Sequence, residues 1–504
     1  MSTPDGEPGR RARQVCANCK ARKRGCDKAI PQCSHCVRKR LECKYAETDQ
    51  IRSPAPQVDQ SSYEPLADAH DAPAECIDYA TVLFMDPDLL QHGHPDTPLA
   101  TVKVPSQVLD HLGDVDELCL ASGKYFVRTH PWMPIISKKR FYDLYIHQSP
   151  SAHPDLALLF LAQKLITTPP PASPYSARTP LYQVTKRWHS HLEVSSVLSL
   201  PMLQAQVLLA LYEIGHAIYP AAYLTVGACA RYAYALGLNV KAVSYRRATT
   251  MVEVEERRRV WWAIVILDRF VNIGCPGRPF AIPEPSRDEL LPADDAKWDN
   301  GIVQSADLAT LSTPLTSHMS KFALLCQAAR LLGQVLIHIA DGSESSDDDV
   351  GLQLDRTLHS MLSAALNVEV PDYDQITFIF SALVALNTPT FRLAGTSVPR
   401  TSFSPDRMSR ALAVCKLVTE RFHIPNFTES RCPLTSRPPE EMSVWGCFFA
   451  YQVCAVYMRV KQKNNGEEEV VKFFKEAFKV IDRGWRAAGI YLRLLEAQEA
   501  MKCA

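Results

Sequence analysis

Six cysteines near the start of the chain, Cys16, Cys19, Cys26, Cys33, Cys36 and Cys43, follow the spacing C-x2-C-x6-C-x6-C-x2-C-x6-C. The second triplet repeats the first with an offset of 17 residues, so one small unit occurs twice. Zinc takes four ligands in a tetrahedron, with thiolates among its best partners. Two zinc ions need eight ligand positions, and six cysteines fill them only if two of the six bridge both metals. Such a cluster has no open position for substrate water, which makes it structural and not catalytic. The competing reading is the disulfide framework of a secreted protein, which comes with an export signal. Residues 1–15 (MSTPDGEPGRRARQV) contain no apolar run. The other ten cysteines are scattered, as expected of reduced thiols serving as small hydrophobes inside a cell.

Charge argues independently. The whole chain is formally neutral, but residues 1–45 hold twelve Lys and Arg against four Asp and Glu, a formal +8 that the remainder balances. Six thiolates against two divalent ions leave the segment at about +6. That concentration on a small unit is the footprint of a nucleic-acid binder. Lys20-Ala21-Arg22-Lys23-Arg24-Gly25 lies between Cys19 and Cys26, and Val37-Arg38-Lys39-Arg40-Leu41-Glu42 between Cys36 and Cys43. Each is long enough for a turn or two of helix and too short to be stable alone. Metal binding then supplies the folding energy.

With these residues the chain resembles the fungal zinc binuclear-cluster transcription factors, whose module places a helix in the major groove. The resemblance implies that Cys16 and Cys33 bridge. One zinc would take Cys16, Cys19, Cys26 and Cys33, the other Cys16, Cys33, Cys36 and Cys43. It also implies that the first helix enters the groove at a C-G-G triplet, with Lys20, Arg22, Lys23 and Arg24 at the contact positions. Lys23 stands at the principal base-reading position, facing guanine O6 and N7; the other three suit phosphates and neighbouring base edges. Gly25 departs from the family's frequent basic residue there. Arg38, Lys39 and Arg40 form the pseudo-symmetric patch, either a solvated face or a set of phosphate contacts. Pro31 matches the loop proline joining the halves, and His35 reads as a surface residue. The clusters Arg10-Arg11-Ala12-Arg13 and Arg22-Lys23-Arg24 are weak import signals toward the nucleus.

Residues 46–75 are rich in Pro, Ser, Asp and Gln and poor in large apolar residues, the composition of an extended or disordered linker. Pro54, Pro56 and Pro65 interrupt any heptad pattern, so the coiled-coil dimer seam common behind such clusters is not expected, and a homodimer is left open. Helical patterns recur further on, over Met202–Tyr219, Ala221–Leu238, Val252–Val271, Leu315–Ala340, Leu352–Asn367, Gln375–Leu386, Arg407–Phe422, Ser443–Lys463 and Glu467–Glu496. Strand signals are few, and no uninterrupted apolar run approaches the roughly 18 residues of a bilayer span; no membrane partner is expected. The expected organisation is mostly α: a basic tail (1–15), the two-zinc module (16–43), a largely disordered linker (44–104) and a large all-helical regulatory domain (105–504).

Residues of roughly 120–300 resemble the central domain found behind many such clusters. The clearest piece runs from Val254 through Trp261, Trp262 and Asp268 to Arg269, followed by Gly274–Pro279 and Ile282-Pro283-Glu284-Pro285; Tyr125-Phe126 with His130-Pro131, and Tyr223-Gly227 through Arg231 to Leu236-Gly237-Leu238, fit as well. Glu255 is expected to pair with Arg259 at i,i+4, ahead of an apolar buried segment. Asp268 inside that segment must be paired, with Arg269 or Arg278 as partner, and Trp261 and Trp262 read as core. Glu75–Leu90 alternates acidic and apolar residues like an activation segment, or forms a short helix docked on the helical domain, the reading preferred here. Asp341–Asp349 reads as a solvated loop.

The resemblance implies a nuclear, DNA-binding regulator of RNA polymerase II genes. It would be an activator by analogy, acting on nutrient or secondary-metabolite genes, with double-stranded DNA and coactivators as partners. Two other classes compete: a zinc-dependent protein-interaction adaptor, and an enzyme tethered to DNA. Against the enzyme, no H-E-x-x-H, G-x-x-x-x-G-K or G-x-S-x-G motif occurs. His189 and His191 are two apart on an expected helix and lack a third ligand, so no catalytic residue is assigned.

Overall fold

The computed structural model describes residues 15–29, 32–44, 84–85, 102–172, 175–239, 250–304, 308–313, 319–341, 349–368, 371–388, 405–421, 438–459 and 465–503. They belong to two units, Met1–Cys76 and Ile77–Ala504. The basic tail, Pro31, most of the linker and the interior of the Asp341–Asp349 loop lie outside the described residues.

The first unit holds two short helices, α1 (Ala17–Ala21) and α2 (Ser34–Lys39). Cys16 and Cys33 are their N-caps, so the offset of 17 in sequence is an offset of 17 in backbone. Both helices close in the same way. The Arg24 and Leu41 N–H groups donate to the Cys19 and Cys36 carbonyls, and those of Lys23 and Arg40 to Lys20 and Val37. This is a Schellman ending, which places its C′ residue in the left-handed region. Lys23 has φ +49° and Arg40 φ +50°. The expectation that Arg22, Lys23 and Arg24 ride on the helix is therefore corrected: α1 ends at Ala21, and the three form its cap and the turn beyond.

In the second unit α3 is Ser106–Leu112, α4 Val115–Arg128, α5 Lys138–Asp143, α6 Pro154–Thr167, α7 Pro180–Val194 and α8 Leu200–Gly215. They are followed by α9 (Ala221–Ala235), α10 (Met251–Asn272), α11 (Asp295–Asp299), α12 (Lys321–Asp341), α13 (Asp349–Leu366) and α14 (Tyr373–Asn387). The last four are α15 (Pro405–Arg421), α16 (Trp445–Arg459), α17 (Asn465–Ile481) and α18 (Ala487–Cys503). Leu290 and Thr310 form an isolated antiparallel bridge in this otherwise helical unit. The starts are written locally. Asp114, Ser137, Thr179, Ser199, Thr250 and Asp294 each accept an N–H of the first turn, and Pro154, Pro180 and Pro201 occupy first-turn positions that need no N–H.

Helix α8 packs on α6 and α9, α10 reaches α8, α9 and α12, and α14 links α12 and α13 to α16, on which α17 and α18 lie. One apolar core runs through these helices, with Trp262, Trp298 and Trp445 among its largest fully buried side chains. Trp261 is core as well. Helix α12 is apolar enough on average to pass for a membrane span, which a count of uninterrupted residues overlooks; 61% of that window is buried inside the protein.

Four further features differ from the expected segments. Helices α3, α4, α6 and α7 were not among the expected segments. The helix expected from Leu315 starts at Lys321. The segment Glu467–Glu496 is two helices, because the chain turns inward at Trp485, whose indole donates to the Met442 carbonyl at 3.0 Å. Gly215 at the end of α8 makes room for that ring, since a Cβ there would lie 2.3 Å from Trp485 Cε3. Finally, Phe84 and Met85 are helical but 68% and 81% exposed, so these two side chains are not docked; the rest of that segment lies outside the described residues.

Candidate metal centre and nucleic-acid interface

Cys16, Cys19, Cys33 and Cys36 are buried, and Cys26 and Cys43 partly so, with Leu41 against them. Their sulfur atoms form two sets of four, Cys16–Cys19–Cys26–Cys33 and Cys16–Cys33–Cys36–Cys43, each with all atoms within 4.8 Å of one another. Cys16 and Cys33 belong to both. Cys16 Sγ lies 3.7 Å from Cys33 Sγ and 3.6 Å from Cys36 Sγ, and Cys19 Sγ lies 3.7 Å from Cys33 Sγ. Disulfide sulfurs would be about 2.05 Å apart. The edge of a tetrahedron with Zn–S bonds of ~2.3 Å is about 3.8 Å, so this donor set fits zinc.

The two shared sulfurs are also the acidified ones. Burial raises the Cys33 thiol, but the Cys36 N–H and the surrounding thiols outweigh it and bring its pKa to about 6. Cys16 is lowered against the same burial by the Cys19 N–H, 3.4 Å away. Cys19, which carries no such donor excess, is pushed up to about 12 by burial and by its neighbours. Both acidified residues sit at helix N-caps, and at Cys16 the sulfur accepts the Cys19 N–H of the first turn.

Each half also holds the other's helix. The Ala17 N–H that opens α1 donates to the Lys44 carbonyl at 2.9 Å. Seventeen residues on, the Ser34 N–H that opens α2 donates to Asp27 Oδ1 at 3.1 Å, and the Ser34 hydroxyl donates to the same carboxylate. Asp27 and Lys44 each follow the third cysteine of their own half, so the contacts are reciprocal. Asn18 adds a 2.9 Å bond to the Glu42 carbonyl. The sequence reading assigned no role to Asp27, Ser34 or Asn18, although the offset of 17 was enough to pair Asp27 with Lys44.

Lys20, Arg22, Lys23 and Arg24 on one half and Arg38, Lys39 and Arg40 on the other are all exposed. Among these seven, the ends of α1 and α2 bring together Lys23 and Arg40 as equivalent residues, a pairing the sequence reading did not make. His35 is half-buried.

In the helical unit, Asp268 and Arg269 pair at 2.7 Å and are both buried. Asp268 also accepts the Ala281 and Ile282 N–H groups, tying the Ile282–Pro285 segment to α10. Arg278 instead lies over the Tyr223 ring. Glu255 and Arg259 pair at 2.9 Å as expected from their spacing, but with no exposure at all. Arg259 continues to Asp295 at 2.7 Å and to the Ala293 carbonyl, and stacks over Trp298. The charged start of α10 is thus part of the interior. His189 is buried on α7 with its pKa lowered to about 4 by burial, while the half-buried His191 stacks on Trp188. They form no metal pair.

Residues 14–52 match the fungal Zn(2)-Cys(6) binuclear cluster domain, and residues 123–382 match the fungal specific transcription factor domain. The transcription factor BOA15 of Botryotinia fuckeliana is 43% identical over 162 residues, which are 32% of this chain and 88% of that protein. The pigment biosynthesis transcriptional activator pigB of Monascus ruber is 26% identical across 67% of this chain and 66% of its own. The azaphilone cluster-specific transcription factor azaR of Aspergillus niger is 24% identical across 64% and 71%. No solved structure matches. The binuclear cluster binds two zinc ions, and the sulfur geometry is the one such ions require. With a domain match over half its length and a cysteine cluster of matching geometry, the chain belongs to the fungal Zn2Cys6 transcription factors.

Proposed function

We propose that this protein is a nuclear activator of RNA polymerase II genes that binds double-stranded DNA at C-G-G-containing sites. In this reading residues 16–43 are the DNA-binding domain, with Cys16 and Cys33 bridging two zinc ions held also by Cys19, Cys26, Cys36 and Cys43. Residues 1–15 are a basic tail, 44–104 a linker, and 105–504 the regulatory domain. The carrying observation is the pair of equivalent left-handed turns, each bearing exposed cations, on one sulfur-centred scaffold. A left-handed C′ residue projects away from its helix end, which suits Lys23 to a base edge and Arg40 to the backbone or a second edge. Lys20, Arg22, Arg24, Arg38 and Lys39 surround them as phosphate contacts. The names of pigB and azaR support a biosynthetic gene cluster as the target.

Selection from a random DNA pool by the zinc-loaded full chain, at near-physiological salt, tests this. Enrichment of C-G-G is the expected result. Two triplets at fixed spacing with two chains bound mean a homodimer, and one triplet with one chain a monomer. Absence of any enrichment, with zinc bound, would move the protein to the interaction-adaptor class.

A further inference from the structure

Between α12 and α13 lies an open cleft of ≈ 500 Å³, within the size range of small-molecule sites. Leu331 and Met361 give it an apolar floor, and Gln327, Arg330, Arg356 and Thr357 its polar walls. Gln327 is 9% exposed, and its Oε1 is buried with no hydrogen-bond partner. A buried amide left in that state is costly, and a ligand donor is one way to satisfy it. Arg356 is exposed and has no ion pair among the described residues.

Arg330 leads inward. Its Nε lies 3.1 Å from Glu284 Oε1, within ion-pair distance but not aligned for a hydrogen bond. Glu284 Oε2 is 4.0 Å from Arg269 Nη2, and Arg269 holds Asp268. Packing there is close, since a Cβ on Gly333 would lie 2.7 Å from Arg269 Nε. Two carboxylates therefore serve the two inner arginines, and Arg356 at the cleft mouth is a third cation without a counter-charge. The cleft has the charge of a site for one anion.

We propose that this cleft binds a small organic carboxylate with an apolar body. Arg356 and Arg330 hold the carboxylate, Gln327 and Thr357 take its polar substituents, and Leu331 and Met361 cover its hydrocarbon face. Occupation sets the ligand against Glu284 for Arg330 and pushes Glu284 toward Arg269. The signal thereby reaches the segment that Asp268 ties to α10. This concerns the helical unit and holds whether or not the zinc module reads DNA.

Benzoate is the probe, with benzamide as its uncharged isostere, and the readout is calorimetric binding to the zinc-loaded full chain. Benzoate should bind at millimolar concentration and benzamide at least tenfold more weakly. Arg356→Gln, an exposed and fold-neutral change, should weaken benzoate at least tenfold. Glu284→Gln should tighten it several-fold by freeing Arg330. Equal binding of the two probes, no benzoate binding, or an unchanged affinity in Arg356→Gln overturns the site. An unchanged affinity in Glu284→Gln, with the other results as expected, overturns the coupling to Arg269.

Discussion

The two units of this protein are held together by different materials. Among the described residues of 15–44 the buried apolar-class side chains are four cysteines, with no buried Leu, Val or aromatic residue. In the helical unit, whole helices such as α8 are buried on every face, and the carboxylate inside α8 is matched: Glu213 accepts from Tyr182, Lys186 and Thr225. A chain segment of 30 residues buries too little surface to offset its ordering entropy. Its geometry, the left-handed Lys23, Lys28 and Arg40 included, is therefore conditional on metal. The helical unit rests on apolar packing instead, but it has taken charge into its interior, where stability depends on every partner being present.

The largest expected effect separates the two. Stripping zinc with a strong chelator should unfold residues 15–44 and abolish DNA binding while leaving the helical unit's thermal transition in place. Cys33→Ala should do the same to both metal positions at once, whereas Cys19→Ala leaves the other set of four intact. Zinc counted per chain distinguishes them: close to zero for Cys33→Ala and one or more for Cys19→Ala. Two zinc ions retained by Cys33→Ala would remove the shared-sulfur geometry from the account.

The converse experiment acts on the helical unit alone. Arg259→Met removes one of the two arginines that pair with buried Glu255, leaving Arg258, and removes the cation over Trp298. Breaking a buried pair from one side costs about 3–5 kcal/mol, to be read as a lower denaturation midpoint with zinc content unchanged. A loss under about 1 kcal/mol, the level of an exposed pair, would mean that Arg258 alone satisfies Glu255.

These contrasts also explain what the sequence could and could not disclose. The metal cluster was legible because ligand identity and spacing are local, and Asp268 with Arg269 because the partners are adjacent. The burial of Glu255 and Arg259 was not, because charges at helical spacing look the same on a surface, and the partner Asp295 is 36 residues away. The break between α17 and α18 depends on Gly215, some 270 residues earlier, admitting Trp485. The left-handed Lys23 is hidden for a different reason, since lysine is not a residue that announces such a turn.

A smaller effect should appear with pH in the helical unit. His216 is buried between Tyr212 and Trp485, accepts the Arg486 N–H at Nδ1, and is held neutral, its pKa lowered from 6.5 to about 3 by burial and then by the Arg486 charge. A lowered folded-state pKa means that the unfolded chain binds the extra proton first. The contribution is complete above pH 6.5 and is lost as pH falls toward 3, about 3 kcal/mol by pH 4.5. Denaturation midpoints of wild type and His216→Gln across this window should therefore differ in slope. Parallel slopes would show that His216 titrates alike in both states.

The finest test sits in the zinc module and asks whether its conditional backbone serves recognition. Lys23→Ala keeps the cost of a Cβ in the left-handed region, roughly 1–2 kcal/mol, that the wild-type lysine already carries. Lys23→Gly relieves that strain and removes the whole side chain, ammonium group included, so a loss of site preference does not come from a sterically weakened turn. If Lys23 reads a base, this variant should keep two zinc ions and near-normal affinity for random DNA. It should lose roughly 1–3 kcal/mol of preference for the selected site. Arg40→Gly, the equivalent change in the other half, should instead weaken all sequences alike and flatten the salt dependence by about one phosphate contact. The same response from both variants would mean that the duplication of backbone extends to function, with the two halves contacting DNA in the same way.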